Sequence, residues 1–479
     1  MAIALEEEIY RHSYLPLPTG QRRSCNTGSV IQCLHDHARH LLLFLLPSFI
    51  SRQYAHIPKE PPRLSETSFL NGIRGIFACA VFIENFSQPW QYGVDHKYGE
   101  GNDRRWIHIP IIRSFYAGPS VTVFFAISGY VISYKFLLHV KNQSHEKLGI
   151  NISSSIFKRG PRLFIPPLLS SFYVAIATQF GLLKIPDVNT TKCTPRLPRT
   201  FNSLSEQIED FSRFAREDLT NIWNWEKRES SYDANLWTVP IQFRSSMAIF
   251  IILLGTAQLR PAFRKYFVVL LFVYWMLEGR WEFATFLGGM FLAERDIERF
   301  VKIYRNANHG ALGNGSSPIK IFFRNALSAL CLLVALYLGS FPQTSAGDTP
   351  GFMTLSRISP NHEIWKTYSA LLLLYTIGRS PPLHKICLLP TTQYLGKISY
   401  AIYLVHGPIL LTFGYSLVPY VWRYTGNDTY LKYDGGLGLA FIAVMIAVVF
   451  VADLWRRVVE VPCGRLVEWF QMNLFVSIK

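Results

Sequence analysis

Long apolar stretches separated by polar ones recur along most of the chain. Ten of them lie beyond residue 70, and most approach the roughly 20 residues that an α-helix needs to cross a bilayer. Their approximate bounds are 73–92, 114–137, 163–183, 238–257, 266–278, 281–293, 321–341, 365–378, 394–418 and 437–455. This pattern predicts an all-α, polytopic transmembrane helical bundle of about ten spans. The fifth and sixth stretches are short, so a bundle of eight spans is the alternative.

Polar regions flank and interrupt the predicted membrane domain, which covers residues 69–458. The N-terminal region, residues 1–68, begins with the acidic run Glu6–Glu8, which argues against a signal peptide. Its apolar run Leu41–Leu46 is too short to cross a bilayer and is predicted to form an interfacial helix. Residues 184–236 mix basic and acidic side chains and are predicted to form a polar loop or a small insert. Residues 459–479 are the predicted C-terminal tail.

Composition supports the membrane interpretation of this 479-residue chain. Hydrophobic residues make up 49% and charged residues only 17%, against about 25% charged in an ordinary soluble protein. This composition excludes a string of soluble domains. The net charge of +16 would also fit a nucleic-acid-binding protein, but polytopic membrane proteins collect Lys and Arg in their cytosolic loops. We therefore predict a lipid bilayer as partner and no nucleic acid.

The uneven distribution of Lys and Arg predicts the orientation. These residues concentrate before the first and third predicted spans and in the segments near residues 260–265 and 295–324. The positive-inside rule assigns those segments to the cytosol, together with both termini. The loop at 184–236 and the one at about 419–436 then lie outside the cytosol. The N-x-S/T sequons at Asn189 and Asn427 are predicted glycosylation sites on that side of an endomembrane.

The sequence carries no strong signal for a metal or a cofactor. Its seven cysteines are scattered and form no CxxC pair. Cys33, His35, His37 and His40 form the densest group of potential ligands, and their favoured interpretation is the polar face of a basic amphipathic helix. HExxH, P-loop and GxGxxG motifs are absent. We predict no metal and no bound cofactor.

Several polar side chains fall within or at the ends of predicted spans. They are Arg74, Glu84 and Asn85 in the first, Gln242 and Arg244 in the fourth, and His406 in the ninth. Such groups are costly against lipid, so they are expected to line an interior cavity. The simpler alternatives are snorkelling for Arg74 and Arg244 and a structural role for His406. On these residues alone, an enzyme, a transporter and a receptor all fit.

Five short motifs in a fixed order narrow the choice among enzyme, transporter and receptor. They are Leu70–Gly75 (LNGIRG), Phe124–Tyr130 (FFAISGY), Lys158–Pro166 (KRGPRLFIP), Leu236–Arg244 (LWTVPIQFR) and Leu395–Pro408 (LGKISYAIYLVHGP). Together they resemble the integral-membrane acyltransferase family 3, in particular its fungal branch, from residue 69 to about 455. The resemblance implies transfer of an acyl group, commonly acetyl from acetyl-CoA, to a hydroxyl of a sugar, lipid or natural product.

The chain departs from the family pattern at three positions. Asn71, Asn85 and Gln242 stand where the family has Asp, His and Glu. The family has an Arg and a His eleven residues apart on the first span, and Arg74 keeps the Arg. Eleven residues are close to three helical turns, so positions 74 and 85 share one helix face. An amide cannot act as a general base, so proton transfer would be lost or taken over by another group.

The expected chemistry assigns roles to the remaining residues. An alcohol attacks a thioester when a base takes its proton, and cations stabilise the CoA phosphates and the developing oxyanion. We predict a base or orienting role for His406, with Glu84 in reserve. The predicted catalytic positions are Arg74, Glu84, Asn85 and His406, and the predicted substrate-binding positions are Asn71, Lys158, Arg159, Arg162, Gln242 and Arg244.

Three functions remain open from the sequence, and one of them is a transporter or receptor that is only superficially similar to the family. The first is a membrane-bound O-acyltransferase that uses acyl-CoA as co-substrate and a secondary metabolite or glycan hydroxyl as acceptor. The second is a catalytically degenerate family member that carries or senses a metabolite or acyl compound. Acyl transfer that is lost with Arg74→Ala would separate the first from the second.

Overall fold

The computed structural model describes residues 47 and 48, 64–91, 98, 105–183, 197–224, 230–308 and 318–475. These residues form helices and loops, with no β-strand among them. The helices are α1 (Ser68–Ser87), α2 (Pro110–Tyr116), α3 (Ser120–Lys141), α4 (His145–Gln179), α5 (Leu204–Phe214), α6 (Thr238–Thr256), α7 (Pro261–Leu277), α8 (Trp281–Asn308), α9 (Pro318–Gly339), α10 (Met353–Ile358), α11 (His362–Arg379), α12 (Pro381–Cys387), α13 (Pro390–Lys397), α14 (Ser399–Ile409), α15 (Tyr415–Thr425), α16 (Tyr430–Trp455) and α17 (Val461–Leu474).

The helices confirm the all-α prediction. Six helical stretches are long and apolar enough to cross a membrane: Ser68–Ser87, Ser120–Lys141, Thr238–Thr256, Ile321–Gly339, Ser399–Thr425 and Tyr430–Leu474. The last two are continuous because π-helical turns join α14 to α15 and α16 to α17. The other four predicted spans lie on α4, α7, α8 and α11, which do not meet the same length and hydropathy criteria. The count of about ten spans is therefore not confirmed.

Helices α3 and α8 pack at the centre of the bundle with their backbones in close contact. A Cβ atom at Gly129 would overlap the carbonyl of Phe286, and one at Gly289 would overlap the carbonyl of Ala126. Small residues allow such an approach between helices in a membrane. Gly129 belongs to the FFAISGY motif, so this motif serves helix packing.

We expect Gly289→Ala to lower the free energy of unfolding by about 1–3 kcal/mol, because the added methyl group must displace the α3 backbone. The matched control is Gly438→Ala in α16, where an added Cβ meets nothing within 4 Å. That substitution is expected to stabilise the helix by roughly 0.5–1 kcal/mol. Unfolding of the purified protein in mixed detergent micelles measures both. Equal stability of the two variants would contradict the close contact.

Helix α1 makes a second close contact, with α12 and α13. A Cβ at Gly72 would overlap the carbonyl of Cys387, and one at Gly396 would overlap the carbonyl of Asn71. Asn71 Nδ2 also donates to the backbone carbonyl of Gln393 at 3.3 Å. The first and the last sequence motifs thus meet along this contact, although they lie more than 300 residues apart.

The described part of the 184–236 region forms a small helical insert on α4. Gln207 of α5 donates to the Tyr232 hydroxyl at 2.9 Å, which in turn donates to Asp210 at 2.8 Å. Phe211 packs on Phe172 of α4 with ring centroids 5.3 Å apart. The insert thereby fixes the chain that leads into α6.

Several predictions concern residues outside the described part of the chain. The interfacial helix around Leu41–Leu46, the histidine group Cys33–His40 and the sequon at Asn189 belong to them. Asn427 is described and exposed, in the turn between α15 and α16. Its glycosylation, the membrane orientation and the domain boundaries stay predictions.

Candidate functional site

His406 lies in the interior of the Ser399–Thr425 helix and is fully buried. Its Nδ1 lies 3.0 Å from the carbonyl of Ile402, one turn earlier in α14. Its Nε2 lies 3.2 Å from the side-chain nitrogen of Asn235. Asn235 precedes α6 and stands 171 residues away in sequence. Long-range folding therefore joins the histidine of the last motif to the start of the fourth one.

A buried carboxylate completes this cluster. Oδ1 of Asp233 accepts hydrogen bonds from the backbone nitrogen of Asn235 at 2.9 Å and from its side-chain nitrogen at 3.2 Å. Asp233 is 6% exposed. Burial raises the pKa of the Asp233 carboxyl, whereas the neighbouring His406 and the two hydrogen bonds from Asn235 oppose that rise. We call Asp233, Asn235 and His406 the Asp–Asn–His cluster.

Two hydroxyl groups fix the Asn235 backbone beside this cluster. The Tyr403 hydroxyl donates to the Asn235 carbonyl, and it lies 2.5 Å from the hydroxyl of Thr238. Tyr403 stands one turn before His406, so both side chains of α14 contact the same residue. The segment that leads into α6 is therefore held in a single position.

The polar residues of α1 lie in different surroundings from those expected. Asn85 Nδ2 donates to the carbonyl of Val81 within α1 at 2.9 Å, and the carbonyl of Asn85 accepts from the Tyr415 hydroxyl at 3.0 Å. Asn85 therefore bonds within α1 and to α15, while His406 bonds to the chain before α6. Glu84 is half-buried. The catalytic roles predicted for Asn85 and Glu84 stay predictions.

The predicted binding residues Asn71, Gln242 and Arg244 each join two parts of the fold. Asn71 bonds to Gln393 of α13, as described above. Gln242 Nε2 donates to the Ser128 hydroxyl of α3 at 3.0 Å. The buried Arg244 donates to the Ile222 carbonyl at 3.1 Å and pairs with Glu282 of α8 at 3.5 Å. Amides at these positions thus make hydrogen bonds between helices, and a direct substrate contact stays a prediction.

Cationic residues converge near Glu460, in the π-helical turn between α16 and α17. Glu460 lies within electrostatic reach of Arg456 and of Arg74 from α1. The Tyr400 hydroxyl lies within reach of Glu460 and of Arg159 from α4. We call Arg74, Arg159, Tyr400, Arg456 and Glu460 the Glu460 cluster. The fold therefore brings together two of the sequence-predicted cations from separate helices.

The rest of the α4 basic motif borders the Glu460 cluster. Arg159 donates to the Ser246 hydroxyl of α6 at 3.1 Å. Arg162 pairs with Glu468 of α17 at 2.7 Å. Lys158 is half-buried one residue before Arg159. The motif thus lies where α4, α6 and α17 meet.

Each of the two clusters has a member on α14. Tyr400, in the Glu460 cluster, donates to the carbonyl of Leu163 at 3.0 Å. His406 follows six residues later, which corresponds to about 9 Å along the helix axis. The cationic cluster and the Asp–Asn–His cluster are therefore separated by less than two turns of helix.

Two concave regions lie along α6. A narrow cleft with the polar residues Asp218, Asn221, Asn224 and Ser230 opens between the insert and Leu236–Ile241, next to the segment that holds Asn235. An apolar cavity of about 230 Å³ lies between α6, α7 and α8. The sequence-predicted site residues do not line that cavity. The polar cleft has a volume of only about 10 Å³, and Asp233, Asn235 and His406 are not among the residues that line it.

Sequence reasoning missed five members of these clusters: Asp233, Asn235, Tyr400, Arg456 and Glu460. Asp233 and Asn235 lie in a segment that was assigned to a polar loop, and Glu460 was assigned to the tail. The available signal was the position of Asp233 and Asn235 directly before the LWTVPIQFR motif. Among the described residues, no group of three or more His, Cys, Asp or Glu side chains is arranged to hold a metal ion.

Comparison with known proteins identifies the family of this chain. The model of the acyltransferase 3 family, described as an acyltransferase domain, matches residues 67–456. The O-acetyltransferase PaAT-1 of Phomopsis amygdali is 26% identical over 466 residues, which cover 92% of this chain and 90% of the relative. The acyltransferase R4 of Phoma sp. is 25% identical, over 86% of this chain and 96% of the relative.

A third relative, the acyltransferase clz18 of Cochliobolus lunatus, is 24% identical, over 86% of this chain and 96% of the relative. No solved structure is detectably similar to the chain. The family model covers most of the chain and includes α1, α6, α14 and α16. The resemblance given by the five motifs is thus confirmed, and the chain belongs to the acyltransferase 3 family.

Proposed function

We propose that this protein is a membrane-bound O-acyltransferase that moves an acyl group, in the first instance acetyl, from acyl-CoA to a hydroxyl of a secondary metabolite or a glycan. The observation that carries the proposal is the buried Asp–Asn–His cluster, less than two helical turns from a cationic cluster. The names of the fungal relatives, an O-acetyltransferase and two acyltransferases, support it.

The proposed mechanism assigns one task to each cluster. The cations Arg74, Arg159 and Arg456 bind the CoA phosphates at the cytosolic side and stabilise negative charge. The pantetheine arm leads the thioester along α14 toward His406. The Asp–Asn–His cluster takes the proton of the acceptor hydroxyl, a contribution typically worth 10²–10⁴-fold in rate.

The test is mass spectrometry of metabolites and glycans from the source organism with this gene deleted, beside the strain complemented by the wild-type gene. We expect deletion to remove one acyl-bearing compound and to accumulate its free hydroxyl form, with rescue by the wild-type gene. Unchanged acylation, with a compound redistributed between cell and medium, would instead favour the carrier.

We expect Arg159→Glu to raise the KM for acyl-CoA by about tenfold or more, because the reversed charge repels the CoA phosphates that the arginine attracts. The matched control is Arg213→Glu on the exposed face of the insert, which is expected to leave the KM unchanged. Initial rates in membranes with equal protein levels measure both. An unaltered KM in Arg159→Glu would remove Arg159 from the donor site.

A further inference from the structure

The hydrogen bonds of His406 leave neither ring nitrogen available to a substrate. The side-chain nitrogen of Asn235 can only donate, so Nε2 of His406 accepts at 3.2 Å. Nδ1 then carries the hydrogen and donates to the Ile402 carbonyl at 3.0 Å. The imidazole is therefore a neutral ring whose lone pair is already used. A general base needs a lone pair directed at the acceptor.

Asp233 differs from His406 in this respect. Its Oδ1 accepts both hydrogen bonds from Asn235, whereas its buried Oδ2 has no hydrogen-bond partner among the described residues. A buried acceptor left without a donor costs about 1–3 kcal/mol. A site that keeps such an oxygen is prepared for a donor from outside the chain, such as an alcohol.

Gly407 provides the space beside this carboxylate. A Cβ atom at position 407 would lie 3.2 Å from both carboxylate oxygens of Asp233, so a larger side chain would press on Asp233 or displace it. Glycine directly after His406 thus lets α14 approach the carboxylate closely. The side-chain nitrogen of Asn235 donates one hydrogen to Asp233 and the other to His406. The three residues therefore form a hydrogen-bonded chain.

We propose that Asp233, through Oδ2, is the base that accepts the proton of the acceptor hydroxyl, and that His406 is a positioning residue that holds Asn235. This inference rests on the proposed O-acyltransferase function. It places proton transfer on a residue that belongs to none of the predicted catalytic positions. Burial raises the pKa of Asp233, which makes the carboxylate a stronger base than an exposed one.

Proton transfer to Asp233 accompanies formation of the new ester bond. The O–H bond of the acceptor breaks, and its proton passes to Oδ2 of Asp233 while the oxygen attacks the thioester carbonyl carbon of acyl-CoA. The new C–O bond forms, the C–S bond breaks, and the electron pair leaves with the sulfur. The CoA thiolate then takes the proton from Asp233, so the products are the ester and CoA, and the carboxylate is restored.

The experiment compares substitutions of Asp233 and His406 in the full-length protein in detergent. The probe is radiolabelled acetyl-CoA with a metabolite extract of the deletion strain as acceptor pool, and label transfer is measured beside acetyl-CoA binding. The control is Asp210→Asn, which changes a second carboxylate of the insert. We expect Asp233→Asn to lower label transfer 10²–10⁴-fold with unchanged acetyl-CoA binding, and Asp210→Asn to lower it less than threefold.

Two further measurements separate chemistry from structure. Formate, a small carboxylate, is expected to raise the rate of label transfer by Asp233→Ala at least tenfold. His406→Gln keeps an acceptor for Asn235, and its rate of label transfer is expected to fall less than tenfold. His406→Leu removes the acceptor, and its rate is expected to fall more than tenfold.

The outcomes distinguish this inference from the proposed function. If the wild-type protein transfers no label, the O-acyltransferase proposal fails. If the wild type transfers label and Asp233→Asn retains more than a tenth of its rate, the base is another group. A loss in Asp233→Ala that formate does not restore also overturns the role of Asp233, as does a His406→Gln variant as inactive as His406→Leu.

Discussion

Arg264→Met is expected to lower the free energy of unfolding by about 3–5 kcal/mol, because it leaves a buried carboxylate without its charge partner. Arg264 of α7 and Glu294 of α8 are 5% and 3% exposed. Nε and Nη2 of the arginine donate to the same carboxylate oxygen at 3.1 and 2.6 Å. Unfolding in mixed micelles measures the loss.

The neighbouring residue offers a matched control. Lys265 pairs with Glu298 at 2.8 Å, but the two side chains are 27% and 39% exposed. Lys265→Met is therefore expected to cost about 0–1 kcal/mol. The double variant Arg264→Met, Glu294→Leu removes both charges and is expected to recover most of the stability. A loss below about 1 kcal/mol in Arg264→Met would mean that water reaches this pair.

Arg74→Ala is expected to lower kcat/KM for acyl-CoA about 10–100-fold, because it removes one of the cations that the proposed mechanism places on the CoA phosphates. The structure places Arg74 within reach of Glu460, in the cluster that also contains Arg159 and Arg456. Complementation of the deletion strain with Arg74→Ala should therefore fail to restore the acylated compound.

A control for this prediction lies at the other end of the bundle. Arg423, exposed on α15, carries the same side chain far along the Ser399–Thr425 helix from Tyr400. Arg423→Ala is expected to restore the compound fully, and Arg74→Lys to restore it in part because it keeps the charge but not the planar guanidinium. If Arg74→Ala restores the compound fully at equal protein level, Arg74 has no part in acyl transfer. Its side chain then only snorkels to the membrane surface.

The sequence allowed the fold class to be predicted well because apolar length is a strong signal. Each of the ten apolar stretches falls on a helix. Arg74 and Arg159 were predicted as site cations because a charge near a span needs an interior partner, and their roles stay predictions. The approach of Arg74 to Glu460 and of Arg159 to Tyr400 depends on how α1, α4, α14 and the turn after α16 pack, which no local pattern encodes.

Two of the three residues of the Asp–Asn–His cluster could not be predicted from the sequence. His406 was visible as a histidine within a span, but Asp233 and Asn235 lie in a polar segment where acidic and amide residues are ordinary. Their burial arises only because the insert docks on α4 and Tyr403 holds the Asn235 backbone. The roles of Asn71 and Gln242 were equally hidden, because an amide that bonds two helices and an amide that binds a substrate look alike in sequence.

The contact between α1 and α12–α13 also sets an order of events during synthesis. Asn71 and Gln393 are 322 residues apart, so at 5–20 residues per second α1 waits roughly 15–65 s for its partner to leave the ribosome. During that time the glycine-rich face of α1 has no helix to pack against. Helix α1 therefore needs lipid or an insertion factor as a temporary neighbour, and chains that stop before residue 393 never complete this interface.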